Sequence, residues 1–192
     1  MNPITIRKLG TRNKTLRALW GFARLLLFAP SPRTAHRWRR MLLRVFGAHI
    51  ERGCLIYPSA RIWAPWNLEM ATGSVIGDGA EIYNVATVRL CRGTVISQRA
   101  FLCTASHDYS QEEFNLVAGE IRLNEGAWVA AEAFVGPGVE IGAFAILGAR
   151  AVATRDISAN VIAGGIPARS LSHRPSVTTP PGIILSGLSH TS

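Results

Sequence analysis

From Leu123 onward an aliphatic or small residue falls at every sixth position: Leu123, Val129, Val135, Ile141, Leu147 and Ala153. A second, mostly small residue follows each by four: Ala127, Ala133, Val139, Ala145, Ala151 and Ile157. An α-helix repeats its buried face about every 3.6 residues and a strand every two. A period of six fits neither. It fits a chain that turns a corner after each short flat strand, so that three units close one triangular coil. The same spacing runs earlier through Ile50, Ile56, Ile62 and Leu68, then Met70, Ile76, Ile82 and Val88, then Leu90, Ile96 and Leu102, with two-residue slips between the runs. The recurring aliphatic must point inward, where stacked coils bury it, and the corners call for permissive residues such as Gly73, Gly77, Gly93, Gly126, Gly136 and Gly142. The spacing predicts an all-β solenoid of roughly six stacked coils, each too small to stand alone.

The 192 residues suffice for one domain with a small appendage, and 48% hydrophobic against 17% charged residues excludes a disordered chain. Three cysteines, Cys54, Cys91 and Cys103, give an odd number without paired spacing. That excludes a disulfide framework or a zinc module and points to a reducing compartment. The net charge of +9 is uneven: residues 1–50 hold eleven Lys and Arg and no acid, leaving ten basic against twelve acidic residues in the rest.

That basic segment, 1–49, reads as two short amphipathic helices. Leu16, Leu19, Trp20, Ala23, Leu26 and Leu27 form one apolar stripe; after Pro30 and Pro32, Trp38, Met41, Leu42, Val45 and Phe46 form a second, opposite Arg37, Arg40 and Arg44. Neither stretch reaches the ~20 apolar residues of a bilayer span, and Arg24 interrupts the best signal-peptide core. The expected location is cytoplasmic. Two compatible roles stay open. The segment either lies on the anionic inner leaflet, with Trp20, Phe22, Trp38 and Phe46 entering the interface, or packs on the solenoid as a cap. Nucleic acid is excluded as a partner, because no recognisable fold presents these arginines to a groove.

The ruler breaks once. Leu102 and Leu123 are 21 residues apart where 18 are allowed, and the intervening text, 103–122, is polar. A loop leaves the solenoid here, and loops on rigid scaffolds are where sites are built. Of five histidines only His107 lies in the solenoid body, at the root of this loop. A lone imidazole cannot supply the three ligands of a metal site between coils, so no metal is expected. It can serve as a general base near neutral pH, or it can simply hold the loop by a hydrogen bond. Cys103, close by, raises a Cys–His covalent alternative.

These residues resemble the hexapeptide-repeat acyltransferases, whose fold is a left-handed parallel β-helix. Leu102-Cys-Thr-Ala-Ser-His107 is similar to the catalytic corner of the galactoside, maltose and nodulation-factor O-acetyltransferases, and the segment around Trp128 and Val129 to that family's WIG coil. Leu147-Gly-Ala-Arg-Ala-Val-Ala-Thr-Arg-Asp-Ile and Gly165-Ile-Pro-Ala-Arg169 resemble its closing signatures, GAGSVVTKDIP and AGNPAR. The match covers 50–169. YPSARIWAPWNLE, EIYN, ISQRAFLCTASHDY and the basic double helix look most like the acetyltransferases of colanic-acid-type exopolysaccharide clusters.

The resemblance implies acetyl transfer from acetyl-CoA to a sugar hydroxyl without a covalent enzyme intermediate, with His107 as general base. It implies Asn84 and Trp128 at the acceptor, the first with the alternative of a turn asparagine and the second of a packed aromatic. For the coenzyme it implies Gly148, Ala149, Thr154, Arg155, Pro167 and Arg169; Arg155 stands where relatives often carry lysine, and Ala131 lacks a serine found in relatives. It further implies a homotrimer whose subunit grooves join His107 to the neighbour's last coils. The acceptor is expected to be a free or lipid-linked saccharide. Other readings are a free sugar, serine or antibiotic as acceptor, or a silent solenoid scaffold held at the membrane. Residues 170–192, rich in Ser, Pro and Thr, read as a flexible tail.

Overall fold

The computed structural model describes residues 4–6 and 10–175. Short strands build three parallel sheets, the faces of a triangular prism. Face one holds His49–Ile50, Leu68–Met70, Val88–Leu90, Ile121–Leu123 and Glu140–Ile141. Face two runs from Leu55–Ile56 through Val75–Ile76, Val95–Ile96, Trp128–Val129 and Ile146–Leu147 to Val161–Gly164. Face three holds Arg61–Ile62, Glu81–Tyr83, Phe101–Cys103, Phe134–Val135 and Val152–Ala153. The chain visits the faces in that order, and equivalent residues pair between coils: Ile56 with Ile76, Ile76 with Ile96, Ile96 with Val129 and Val129 with Leu147.

The six-residue markers are the core. Ile56, Ile76, Ile96, Val129 and Leu147 are fully buried, and so are the small residues two places ahead of the marker, such as Ala60, Ala80, Ala100 and Ala133. The two-residue slips have a simple cause. Leu68 and Met70, which the periodicity assigns to successive runs, lie on one strand and both point inward, as do Val88 with Leu90 and Ile121 with Leu123. The extra residues sit on the edge between faces three and one, where Pro65–Asn67 forms a 3₁₀ turn. The corners repeat at the same interval, with left-handed backbone at 126, 132, 138, 144 and 150. Gly126 and Gly138 take it without strain, whereas Glu132, Phe144 and Arg150 adopt it as ordinary L-residues. Gly77, Gly136 and Gly142, expected in the same role, do not have positive φ; a Cβ on Gly142 would clash with Ala159 N.

The stack leaves one end open. Between coils, each marker carbonyl accepts from the N–H following its equivalent one coil earlier: Glu51 N to Met70 O at 2.8 Å, Tyr57 N to Ile76 O and Trp63 N to Ile82 O at 3.0 Å. Ile50, Ile56 and Ile62 have no earlier coil. The N-terminal helices, Thr11–Ala23 continued by a π-helical turn Arg24–Phe28, and His36–Val45, answer them with side chains. Arg44 Nε donates to Ile50 O at 2.8 Å, joined by its Nη2; Arg39 Nε to Ile56 O at 2.6 Å; Trp20 Nε1 to Ile62 O at 2.7 Å. His36 Nδ1 also meets Ile56 O at 2.9 Å, and Arg40 Nη1 reaches Cys54 O at 2.6 Å. Arg39 is fully buried, its other nitrogens on Ser31 Oγ and the carbonyls of Pro32 and Arg33.

This corrects the helix faces drawn from periodicity. Trp20 is buried and Phe46 packs against the core, so neither is free to enter a lipid interface. Leu42 and Leu43 face the coil beside Arg39, while Trp38, Met41 and Val45 of the same expected stripe point outward. At the other end, Arg169–His173 pairs antiparallel with Val161–Gly164, so the sheet continues past the boundary expected at 169. Ile183, Ile184 and Leu185 lie outside the described residues.

Because each guanidinium bond to a carbonyl contributes about 1.5–3 kcal/mol and the carbonyls left behind are buried, Arg39→Leu should lower unfolding stability by roughly 3 kcal/mol in urea titration. Arg37→Leu, on the solvent side, should stay within about 0.5 kcal/mol of wild type. Equal effects at the two positions would show that the cap is not what Arg39 provides.

Candidate active site

After Phe101–Cys103 the chain leaves face three through Thr104, whose N–H and hydroxyl both donate to Tyr83 O at 3.0 Å. The segment expected to be irregular is a hairpin: Ala105–His107 pairs antiparallel with Leu116–Ala118, His107 opposite Leu116, and the N-terminal strand Ile4–Ile6 adds to its other side. Its root is anchored twice. Val85, Ala105 and Ala118 form a second buried cluster, covered by Trp63, Tyr83, Ala86 and Leu116. Gly119 N donates to Thr104 O at 2.8 Å, and a Cβ there would fall 2.7 Å from Gly138 N, so the returning chain needs glycine to pack on the next coil.

At the tip, Asp108 Oδ1 accepts from Ser110 N and Oγ at 3.0 and 2.6 Å, bonds that hold its carboxyl below the usual range. Phe114 takes φ of +46°, uncommon for an aromatic residue. That turn points its carbonyl at His107 Nδ1, 2.8 Å away, and lays its ring on the imidazole, with centroids 4.4 Å apart and planes 5° from parallel. A carbonyl can only accept, so Nδ1 carries the proton; in the neutral ring Nε2 then holds the lone pair. His107 is exposed on the hairpin, and Phe114 bonds only its Nδ1. Cys103 is different: its thiol donates to Ala105 O at 3.1 Å, and burial pushes its pKa up, which keeps it in the weakly nucleophilic protonated form.

The other expected site residues fall into separate places. Asn84 is fully buried, its Oδ1 accepting from Ala64 N at 2.9 Å and its Nδ2 donating to Ala64 O at 2.7 Å, so in this chain it clamps one coil to the previous one. Trp128 is on face two, 36% exposed, its indole N–H on Ser97 Oγ at 2.8 Å. Gly148, Ala149, Thr154, Arg155, Pro167 and Arg169 gather at the far end of the prism, where Gly148 N bonds Ala163 O and the 165–168 turn flanks Val152 on both sides. The strand Phe134–Val135 separates that end from Phe101–Cys103 on face three. Among the described residues no hydrogen bond links His107 to any of the six. Nor does any group of three His, Cys, Asp or Glu stand ready to hold a metal.

Sequence reasoning missed the Phe114 partner and the aromatic pair Trp63 and Tyr83, whose rings meet edge to face at 5.3 Å beside the hairpin root. Arg17 lies over Trp63 at 4.4 Å, and with Arg24, Arg61 and Glu81 these aromatics line a cavity of about 270 Å³. Only the bulge of two residues at this edge could have marked the place.

The described residues form a triangular parallel prism broken by one histidine-bearing hairpin. No protein-family model matches the chain. It is 38% identical over 156 residues to the protein assigned as colanic acid biosynthesis acetyltransferase WcaF of Escherichia coli strain K12, covering 81% of this chain and 86% of the relative. The chain belongs to that acetyltransferase family. Two solved structures share its fold: a hexapeptide-repeat acetyltransferase of Vibrio cholerae in complex with acetyl coenzyme A (TM-score 0.77, 22% identity, 87% and 91% of the two chains). The second is a galactoside acetyltransferase in complex with coenzyme A (TM-score 0.74, 21% identity, 86% and 84%).

The tautomer is directly measurable. In nitrogen-15 correlation spectra of the neutral ring, His107 should show a protonated Nδ1 and an unprotonated Nε2. The reverse pattern would remove the basis for a base at Nε2.

Proposed function

We propose that this protein transfers acetyl from acetyl-CoA to a sugar hydroxyl of a colanic-acid-type exopolysaccharide intermediate, with His107 as the general base. The observation that carries the reading is the Phe114 carbonyl on Nδ1, which leaves Nε2 to meet a substrate proton. As the hydroxyl oxygen forms its bond to the thioester carbonyl carbon, Nε2 takes the hydroxyl proton. When the carbon–sulfur bond breaks, the imidazolium returns that proton to the departing thiolate. A thioester is already activated, so no nucleophilic side chain is required, in keeping with the protonated state of Cys103.

Arg155 and Arg169 suit the coenzyme's phosphates: both are exposed at the C-terminal end, and among the described residues no carboxylate pairs with either. Gly148, Ala149, Thr154 and Pro167 supply the small surface beside them. The family relationship supports a homotrimer, in which a neighbour's last coils meet His107 across a subunit groove. The name of the WcaF relative supports a saccharide acceptor, and we take it as lipid-linked at the inner face of the membrane. No helix among the described residues is long and apolar enough to cross a membrane.

His107→Ala should lower turnover by about 10²–10⁴-fold with the melting temperature unchanged. Assay against free sugars, amino acids and extracted polyprenyl-linked oligosaccharides identifies the acceptor. Full turnover by the alanine variant would remove His107 from the mechanism, and transfer to amino acids alone would remove the polysaccharide.

A further inference from the structure

The N-terminal cap has two working faces, and only the inner one is used by the solenoid. Outside, Phe22, Leu25 and Val45 are 67%, 65% and 74% exposed, alongside Leu26, Trp38 and Met41. These side chains form one surface, because Trp38 of the second helix donates its indole N–H to Leu27 O at the end of the first, 2.8 Å away. Next to it runs an open groove of about 750 Å³ lined by Arg37, Trp38, Arg40, Met41, Arg44 and Arg52. Four arginines line it and no carboxylate does. Glu51, which precedes Arg52 in the chain, is committed to the N–H and hydroxyl of Thr72 at 2.8 and 2.6 Å. Arg40 and Arg44 are held by their bonds to the first coil, so two of the groove's four cations are fixed in place.

We propose that this outer face docks on an anionic lipid bilayer, the exposed apolar side chains entering the interface and the arginine groove taking lipid phosphates. Two features select this occupant. An apolar surface bordered by unpaired cations needs a partner offering hydrocarbon and phosphate side by side, which an acidic bilayer does. A second copy would bring the same cationic face: residues 1–50 contain eleven basic residues and no acid, so self-pairing sets like charge against like. The proposal deepens the lipid-linked reading of the acceptor by naming which surface meets the membrane, and it replaces the buried Trp20 and the core-packed Phe46 by Leu25, Met41 and Val45.

Flotation with vesicles tests it without any turnover, so its failure leaves acetyl transfer standing. The full-length protein should float with phosphatidylcholine vesicles containing about 30% phosphatidylglycerol, and not with phosphatidylcholine alone. Arg37→Gln and Arg52→Gln should each weaken binding about fivefold. The triple variant Phe22→Ser, Leu25→Ser, Val45→Ser should lose it by more than about tenfold while keeping its circular dichroism spectrum. Should the triple variant misfold, the arginine variants and a salt series decide. Flotation with both vesicle types alike, with neither, or unchanged in the variants overturns the proposal. So does a fall in oligomeric mass in the triple variant, which would make the patch a contact between copies.

Discussion

Each coil of this protein is held by handing its backbone hydrogen bonds to the next, residue onto equivalent residue, with an aliphatic side chain beneath every link. Such a stack satisfies its own interior and leaves unmet carbonyls at the end where it begins. Buried peptide groups without partners are costly, and an open sheet edge invites pairing with other chains. The first coil therefore dictates what precedes it: three inward-facing markers, Ile50, Ile56 and Ile62, and a donor for each carbonyl, from Arg44, Arg39 with His36, and Trp20. The basic character of the N-terminal segment is in part a consequence of that geometry.

The same rigidity would serve the chemistry proposed for His107. A hairpin rooted in the third coil through Thr104, Gly119 and a private cluster of Val85, Ala105 and Ala118 holds its imidazole more firmly than a free loop could. Orientation comes from within the hairpin. The strained turn at Phe114 supplies both the carbonyl that fixes the ring's proton and the flat surface against which the ring rests.

The interior was legible because its period is a local property: Leu123, Val129, Val135 and Ile141 announce the coil whatever surrounds them. His107 stood out as a candidate for the converse reason, placed where the period fails. What the helices do was only half legible. Periodicity groups residues by side but cannot say which side meets the core, and a guanidinium is the last group expected inside. Arg39 is buried because unmet carbonyls are waiting there, information held by the coil and not by the helix. Asn84 reads as a turn residue from its neighbours alone; that both its amide atoms fall on Ala64 follows only from coil spacing. Phe114 lay hidden because nothing in its sequence context calls for positive φ.

The edge between faces three and one is unlike the other two. There the distance between markers is eight residues from Ile62 to Met70 and from Ile82 to Leu90, twenty-one from Leu102 to Leu123, and six from Val135 to Ile141. Every other edge keeps to six. A lineage can thus splice in or trim sequence along one ridge of the molecule while the remaining ridges go on counting undisturbed. If the hairpin carries the proposed site, changes of length at this seam could alter it without a single replacement among the residues that make the scaffold.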